Sequence, residues 1–374
     1  MNVLVTDAGY KHTLGIVREL GKENIDVFAL ANNINDVSLQ SRFIKKYILI
    51  DDLQILQIKE FCKQNSIDLI LPISSKSVKF FSNHRDEFIS SQLMSLPTKE
   101  NLEIANTKRL TYDFCKTLNI NVPNTFYPSS IEDISNIGKE ITFPCVIKGL
   151  YEVGGGQVTY VYNPKDLKVI YKKFCELHNV ANTDSLPMIQ EYIEGNGVGF
   201  FGLYQNGKYM KSYQHERIRE NPPEGGASVC AKTIFNKKLF KLGKTILDQL
   251  DWNGVAMVEF KKTKEGEFFL MEINAKFWGS HDLGIACGAN FPKSIIQLGT
   301  QKDVDDIYKK NLKYQWPLNG DISSSLNSPK RLLRVLVDLI NPKVKNNLHI
   351  ISDPKPTWKL LQRSFFSYID KIRS

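Results

Sequence analysis

No stretch of the 374-residue chain approaches the roughly 18 uninterrupted apolar residues that a membrane-spanning helix requires, so none is predicted. The six cysteines are widely scattered and form no C-x-x-C pair, which argues against structural zinc and favours reduced cytosolic thiols. The first residues lack the basic segment and cleavage site of a secretory signal. These absences predict a cytoplasmic protein, and a content of 42% hydrophobic and 24% charged residues is ordinary for globular domains.

The sequence also lacks two common nucleotide-binding motifs and any nucleic-acid-binding motif. Gly9 and Gly15 follow the first predicted strand but do not complete G-x-G-x-x-G, and Tyr10 to His12 would crowd a pyrophosphate, which disfavours a dehydrogenase. No G-x-x-x-x-G-K-[ST] loop occurs. The net charge of +9 lies mostly in residues 321–374, where ten Lys and Arg accompany four Asp, so the charge predicts no nucleic-acid-binding face.

The first 97 residues alternate apolar runs with amphipathic stretches. Strands are predicted near residues 3–6, 27–30, 47–50 and 69–72, with helices between them, which is typical of a small parallel α/β unit. Lys11 and His12 follow the first strand. A solvated loop is the favoured interpretation of these two residues, and one wall of a substrate cleft is the alternative.

Residues 255–274 combine two apolar runs with acidic residues. The runs flank Lys264-Glu265-Gly266, which suits a hairpin turn, and they carry Glu259 on one strand and Glu272 and Asn274 on the other. Residues two apart share a face of a strand, so Glu272 and Asn274 point the same way and Glu259 can face them. Oxygen ligands of low number suit Mg²⁺, whereas two surface glutamates are an equally weighted interpretation at this point.

A lysine and a glycine run form a second candidate feature. Residues 142–148 read as a strand ending in Lys148, and Gly154, Gly155 and Gly156 follow in a predicted hairpin. Consecutive glycines let backbone N–H groups converge on an anion, and a lysine beside them adds a charge for phosphate. The alternative is an ordinary hairpin without a ligand.

Taken in order, these residues resemble the ATP-grasp enzymes, and local strings at 215–228, 254–259 and 271–280 are similar to their carboxylate–amine ligase branch. The resemblance implies an α/β protein that is α+β in its catalytic part. It divides into a parallel α/β domain (1–97), a two-lobed ATP-grasp domain with antiparallel sheets (98–315) and a basic helical extension (316–374).

The resemblance also implies a role for each matched residue. Mg²⁺, or Mn²⁺ in its place, would be held by Glu259, Glu272 and Asn274. ATP would be bound by Lys108, Lys148, Gly154, Gly155, Gly156, Gln190, Glu191, Tyr192, Ile193 and Glu194, with Glu194 proposed for the ribose. Related ligases often carry arginine where this chain has Met257 and Lys276, so the cation facing an acyl phosphate is sought among Arg217, Arg219 and Lys276. Solvated strand-edge charges are the alternative for the two arginines.

The implied reaction activates a substrate carboxylate as an acyl phosphate and couples it to an amine, releasing ADP and phosphate. The alternatives are another ATP-grasp phosphotransfer and a non-catalytic ATP-binding regulator. Homodimers are common in the family, so a dimer is an open expectation.

The carboxy-terminal residues predict two helices. The first spans 331–340, and the second spans 358–372 with an aromatic stripe of Trp358, Leu361, Phe365 and Tyr368 at helical spacing. The favoured interpretation docks this stripe on the catalytic domain. The alternative is a basic amphipathic helix that contacts an anionic membrane surface.

Overall fold

The computed structural model describes residues 1–89, 92–150, 158–180, 186–223, 225–349 and 351–373. Gly154, Gly155 and Gly156 lie outside these ranges. Contacts divide the chain into two units. The first comprises Met1–Lys99, Gly199–Met257 and Asn274–Ser374, and the second comprises Glu100–Val198 and Val258–Ile273. The sequence-based boundaries at residues 97 and 315 remain a prediction.

The amino-terminal part of the first unit is the predicted parallel α/β layer. Its four strands lie in the order β3-β2-β1-β4, all parallel, with buried aliphatic side chains along β1, β2 and β4. Its elements are β1 (Asn2–Val5), α1 (Lys11–Lys22), β2 (Asp26–Ala31), β3 (Ile44–Leu49), α2 (Ile55–Gln64), β4 (Leu69–Leu71) and α3 (Ser75–Asn83).

The second unit contains a four-stranded sheet in the order β5-β8-β6-β7, whose paired strands run antiparallel. Its elements are α4 (Lys99–Asn106), α5 (Lys108–Thr117), β5 (Thr125–Phe126), α6 (Ile134–Glu140), β6 (Cys145–Lys148), β7 (Val158–Val161), α7 (Pro164–Leu177) and β8 (Met188–Glu191). The core beneath it includes Ile147, Tyr171 and Ile189. This packing fixes the strands that carry Lys148 and Gln190.

A seven-stranded sheet has the order β13-β12-β9-β10-β11-β14-β15, and β14 pairs with β15 in parallel. Its strands are β9 (Asn196–Gln205), β10 (Lys208–Asn221), β11 (Ala227–Ile234), β12 (Gly254–Lys262), β13 (Phe268–Asn274), β14 (Lys313–Gln315) and β15 (Val344–Asn346). The helices are α8 (Lys237–Gln249), α9 (His281–Cys287), α10 (Phe291–Gly299), α11 (Pro329–Ile340) and α12 (Pro354–Arg373). The predicted mixed α/β class, with antiparallel strand pairs in the two sheets that follow the parallel layer, is confirmed.

The carboxy-terminal helix corrects one expectation. Trp358 is 61% exposed, so it does not pack as the predicted aromatic stripe requires. The anchor is polar instead: Asp353, just before α12, accepts a hydrogen bond from Arg18 Nε at 2.9 Å, and the pair is almost fully buried. Thr357 also accepts from the Arg18 guanidinium. The side chains of Phe365 and Tyr368 lie outside the described part of the chain.

All six cysteines are free and buried, in keeping with the absence of paired spacing in the sequence. Burial raises the pKa of several of these thiols, for example that of Cys145 to about 11. Within the described ranges, no helix is both long and apolar enough to span a bilayer.

Candidate functional site

The hairpin predicted from residues 255–274 is formed by β12 and β13. Gly266 has a φ of +85°, a conformation that glycine adopts without strain, and Gly266 N–H donates to Thr263 O to close the turn. Glu259 and Glu272 are half-buried, and neither projects freely into solvent. Asn274, at the end of β13, is buried and its Oδ1 accepts from Lys276 Nζ at 3.3 Å.

Lys148 lies at the end of β6, where its ammonium group meets a polar partner. Nζ donates to Gln190 Oε1 at 2.8 Å, while Gln190 Nε2 donates to Thr125 Oγ1, also at 2.8 Å. Gln190 is 1% exposed, so these two hydrogen bonds hold the Lys148 side chain against a buried residue. The predicted ATP-binding pair Lys148 and Gln190 is therefore one hydrogen-bonded unit.

The electrostatic surroundings of Lys148 contain the other predicted ligands. Its pKa is lowered to about 8, chiefly by burial and then by the neighbouring Lys108, while Glu272 and Glu259 act in the opposite direction. Another lysine and two carboxylates, from three other stretches of sequence, thus lie close enough to Lys148 to influence its ammonium group. All four belong to the second unit.

This lowered pKa gives a prediction for nucleotide affinity. Below pH 8 Lys148 is mostly protonated and attracts phosphate, whereas above pH 8 the unliganded protein holds it increasingly neutral. We expect the dissociation constant of a non-hydrolysable Mg–ATP analogue to rise by up to about tenfold per pH unit above 8, because each unit corresponds to about 1.4 kcal/mol. Calorimetric titrations between pH 7 and 9.5 measure this. A Lys148→Met variant should lack the added slope, and equal slopes would contradict the assignment.

The predicted adenine-binding stretch is held by its own backbone. Glu191 N–H donates to Asn124 O at 2.9 Å, and Glu191 Oε1 accepts from Asn124 N–H at 2.7 Å. Tyr192 N–H donates to Pro144 O, and Ile193 is half-buried. Glu194 is exposed and pairs with Lys264 at 2.7 Å. These contacts order the segment, and its nucleotide-binding role stays a prediction.

Two residues near Lys148 were not anticipated from the sequence. Lys261 lies two positions after Glu259 on β12, on the same face, and its charge lowers the pKa of Lys148. Tyr112 donates its hydroxyl to Met271 O at 2.9 Å, next to Glu272. Because side chains alternate between the two faces of a strand, Lys261 could have been predicted to share the face of Glu259. Tyr112 contacts the hairpin from α5, and no local sequence pattern indicates this contact.

The donor chemistry fits magnesium. Glu259, Glu272 and Asn274 offer only oxygen atoms, and Mg²⁺ commonly takes one or two protein carboxylates and completes its shell with phosphate and water. Across the described ranges, no group of three or more His, Cys, Asp and Glu side chains is placed to hold an ion alone. A Mg²⁺ ion at this hairpin would keep coordination positions for phosphate and water.

The three candidate cations for the acyl phosphate are in different surroundings. Arg219 donates to Asp321 from Nε (2.8 Å) and Nη2 (2.6 Å), and to Asp338 from Nη1 (2.6 Å), all within a buried cluster. Arg217 Nη1 pairs with Glu220 Oε1 at 3.0 Å, and Lys276 donates to Asn274. The carboxylates that surround Arg219 already balance its charge, which favours Arg217 and Lys276 for the predicted role.

The Arg219 cluster predicts a stability effect. Removing one partner of a buried ion pair leaves an uncompensated charge, which typically costs about 3–5 kcal/mol. We expect Asp321→Asn to lower the free energy of unfolding by about 3 kcal/mol, the lower end, because Asp338 still faces Arg219. Urea unfolding followed by circular dichroism measures the change. The exposed Asp303→Asn should stay within about 0.5 kcal/mol of the wild type, and an equally stable Asp321→Asn would contradict the expectation.

Solved structures with the same fold bind adenine nucleotides. The chain superposes with a TM-score of 0.67 and 15% identity on the biotin carboxylase domain of the Hydrogenobacter thermophilus 2-oxoglutarate carboxylase, a complex with MgADP, ADP and bicarbonate. The match covers 83% of this chain and 73% of that chain. Biotin carboxylase from Campylobacter jejuni, in complex with β-γ-ATP, gives a TM-score of 0.69 at 15% identity, over 83% and 74% of the two chains. A family model described as "ATP-grasp in the biosynthetic pathway with Ter operon" matches residues 187–317.

The chain shares the fold of these two biotin carboxylase structures, and its residues 187–317 match an ATP-grasp family model. The ATP-grasp match at residues 187–317 includes β8 and the β12–β13 hairpin, and so covers Gln190, Glu259 and Glu272. A curated relative is the carbamoyl phosphate synthase large chain of Caldanaerobacter subterraneus, 23% identical over 281 residues. That alignment covers 72% of this chain and 25% of the relative, so this chain spans about a quarter of that protein's length.

Proposed function

We propose that the protein is an ATP- and Mg²⁺-dependent ligase that couples a substrate carboxylate to an amine, releasing ADP and phosphate. The observation that carries the proposal is the meeting of Lys108, Glu259 and Glu272 around the ammonium group of Lys148. Two lysines supply charge for phosphate, and two carboxylates supply hard oxygen ligands for a divalent cation. Phosphoryl transfer needs this neutralisation and positioning more than covalent help from the protein.

Each side chain has a part in this reaction. Lys148, held by Gln190, binds phosphate oxygens together with Lys108 and the glycine run at 154–156. Glu259, Glu272 and Asn274 hold Mg²⁺, or Mn²⁺ in its place, which would neutralise the phosphate oxygens of bound ATP. The stretch from Glu191 to Glu194 takes the adenosine. Lys276 and Arg217 face the carboxylate oxygens as negative charge develops there.

The carboxylate substrate attacks the γ-phosphorus of ATP with one oxygen, and the bond from that phosphorus to the β,γ-bridging oxygen breaks to release ADP. The amine nitrogen then attacks the activated carbonyl carbon. It loses a proton as the C–N bond forms, and phosphate leaves with the former carboxylate oxygen. Atoms balance without any co-reactant beyond ATP, the acid and the amine.

Partners and location follow from the reaction. Both substrates are small molecules, and the buried free cysteines suit the reducing cytoplasm, where ATP is available. We propose a homodimer as the assembly, which light scattering of the purified protein tests. A monomer at micromolar concentration would contradict the dimer without affecting the ligase proposal.

Product analysis tests the proposal against its alternatives. The purified protein, supplied with Mg²⁺, ATP and pools of small carboxylic acids with amines, should form ADP and a product whose mass equals acid plus amine minus water. A phosphoester would support phosphotransfer instead. Nucleotide binding without turnover on any pool would support the regulator.

A further inference from the structure

A cluster of ionisable side chains lies where α1 packs on α9, both within the first unit. Asp282 sits against Gly15, where an added Cβ would come within 1.8 Å of Oδ1. Gly279 also lies against the Lys11 side chain, since a Cβ added at Gly279 would be 3.0 Å from Lys11 Cε. Trp316 Nε1 donates to Asp282 Oδ2 at 2.8 Å, and Lys11 Nζ lies 5.3 Å from the centroid of the Trp316 ring.

Two histidines in this cluster have no hydrogen-bond partner. His12 is 7% exposed and His281 is fully buried, and all four of their ring nitrogens lack a partner among the described residues. A buried polar group left unpaired is unfavourable, so a pair of unsatisfied imidazoles calls for a ligand or ordered water. The Tyr10 ring lies 5.2 Å from the His12 ring and is half exposed, which places His12 near the surface.

The charges around His12 are mainly positive. Burial above all, and then His281, Lys11 and Lys276, hold the pKa of His12 well below its usual value, so the ring is neutral. A neutral imidazole offers one N–H donor and one acceptor nitrogen. A ligand that hydrogen-bonds to these rings must therefore carry a hydrogen-bond acceptor and, next to it, a hydrogen-bond donor. Because Lys11 and Lys276 are nearby, an anionic acceptor is favoured.

We propose that His12 and His281 bind the carboxylate substrate, and that this substrate is a small acid carrying an amino or hydroxyl group next to its carboxylate. The carboxylate accepts from an imidazole N–H and faces Lys276, while the neighbouring group donates to an imidazole nitrogen. Lys11, whose Nζ lies over the Trp316 ring, adds a second positive charge. The assignment rests on the proposed function, because Lys276 is the cation expected at the reacting carboxylate.

Three substrate pools and matched variants test the assignment in the full-length protein. ADP formation is measured with Mg–ATP, an amine pool and, separately, α-amino acids, α-hydroxy acids or unsubstituted monocarboxylic acids. His12→Phe keeps a ring of similar size and removes both nitrogens, His12→Asn keeps a donor and an acceptor, and His178→Phe is the control. Calorimetry with a non-hydrolysable ATP analogue checks that each variant retains its nucleotide site.

One of the first two pools should stimulate ADP formation, and it identifies the group beside the carboxylate. His12→Phe should raise the KM for that acid about five- to tenfold, since one lost hydrogen bond costs about 1 kcal/mol, with nucleotide affinity unchanged. His12→Asn should recover part of the loss. Stimulation by monocarboxylic acids alone, or an unchanged KM in His12→Phe, overturns this assignment only. Stimulation by none of the pools while the nucleotide binds counts against the proposed function as well. Failure of the wild type to bind nucleotide overturns the proposed function and with it this assignment.

Discussion

Lys148→Met is expected to weaken binding of a non-hydrolysable Mg–ATP analogue by about 10- to 100-fold and to reduce ADP formation at least as much. The size follows from the loss of a charged hydrogen-bond donor to phosphate, worth about 1.5–3 kcal/mol, at 1.4 kcal/mol per tenfold. The substitution also removes the hydrogen-bond donor of the buried Gln190 Oε1. We expect this loss to affect the stability of the fold more than the affinity for the nucleotide.

The control for this substitution is Lys139→Met. Lys139 is an exposed lysine of the same unit, on α6, and has no role in the proposed site. Its variant should bind the analogue with wild-type affinity. If Lys148→Met and Lys139→Met bind equally well, Lys148 does not contact phosphate, and the phosphate site must lie elsewhere.

Glu272→Gln is expected to reduce Mg²⁺-dependent ADP formation by at least about 100-fold. Loss of a residue that only orients a metal ligand costs about 10- to 100-fold, and loss of the ligand itself should cost no less. The substitution keeps the shape of the side chain and removes its charge, so β13 should remain folded. Raising the Mg²⁺ concentration should recover part of the activity, because affinity for the ion is what the variant lacks.

Glu265→Gln provides the matched comparison on the same hairpin. Glu265 lies in the exposed turn between β12 and β13. Both substitutions remove one negative charge, so a general electrostatic effect would lower the activity of both variants. Wild-type activity in Glu272→Gln, or equal loss in the two variants, would remove Glu272 from the proposed metal site.

The features that the sequence predicted best are those with a local pattern. The two apolar runs of residues 255–274, separated by a polar turn, predicted β12 and β13, because a short and largely buried strand is a continuous apolar stretch in the sequence. Local sequence patterns also predicted the strand that ends in Lys148 and the alternating strands and helices of the first 97 residues.

Long-range charge pairing could not be predicted from the sequence. Arg219 reads as one of several charges on an exposed strand, yet its partners Asp321 and Asp338 lie about a hundred residues further along the chain. The anchor between Arg18 and Asp353 joins residues still more distant in sequence. Trp358 fits a helical aromatic stripe and is nevertheless exposed, because that polar anchor, and not the aromatic face, attaches the segment to the first unit.

The most direct test of the account is the product formed by the wild-type protein in the presence of Mg²⁺. Reaction mixtures containing ATP, an acid pool and an amine pool are analysed by mass spectrometry alongside ADP and phosphate release, with and without the amines. The account predicts one ADP, one phosphate and one amide for each turnover, dependent on both Mg²⁺ and the amine. Formation of a stable phosphoester, or ADP release that needs neither acid nor amine, would contradict it.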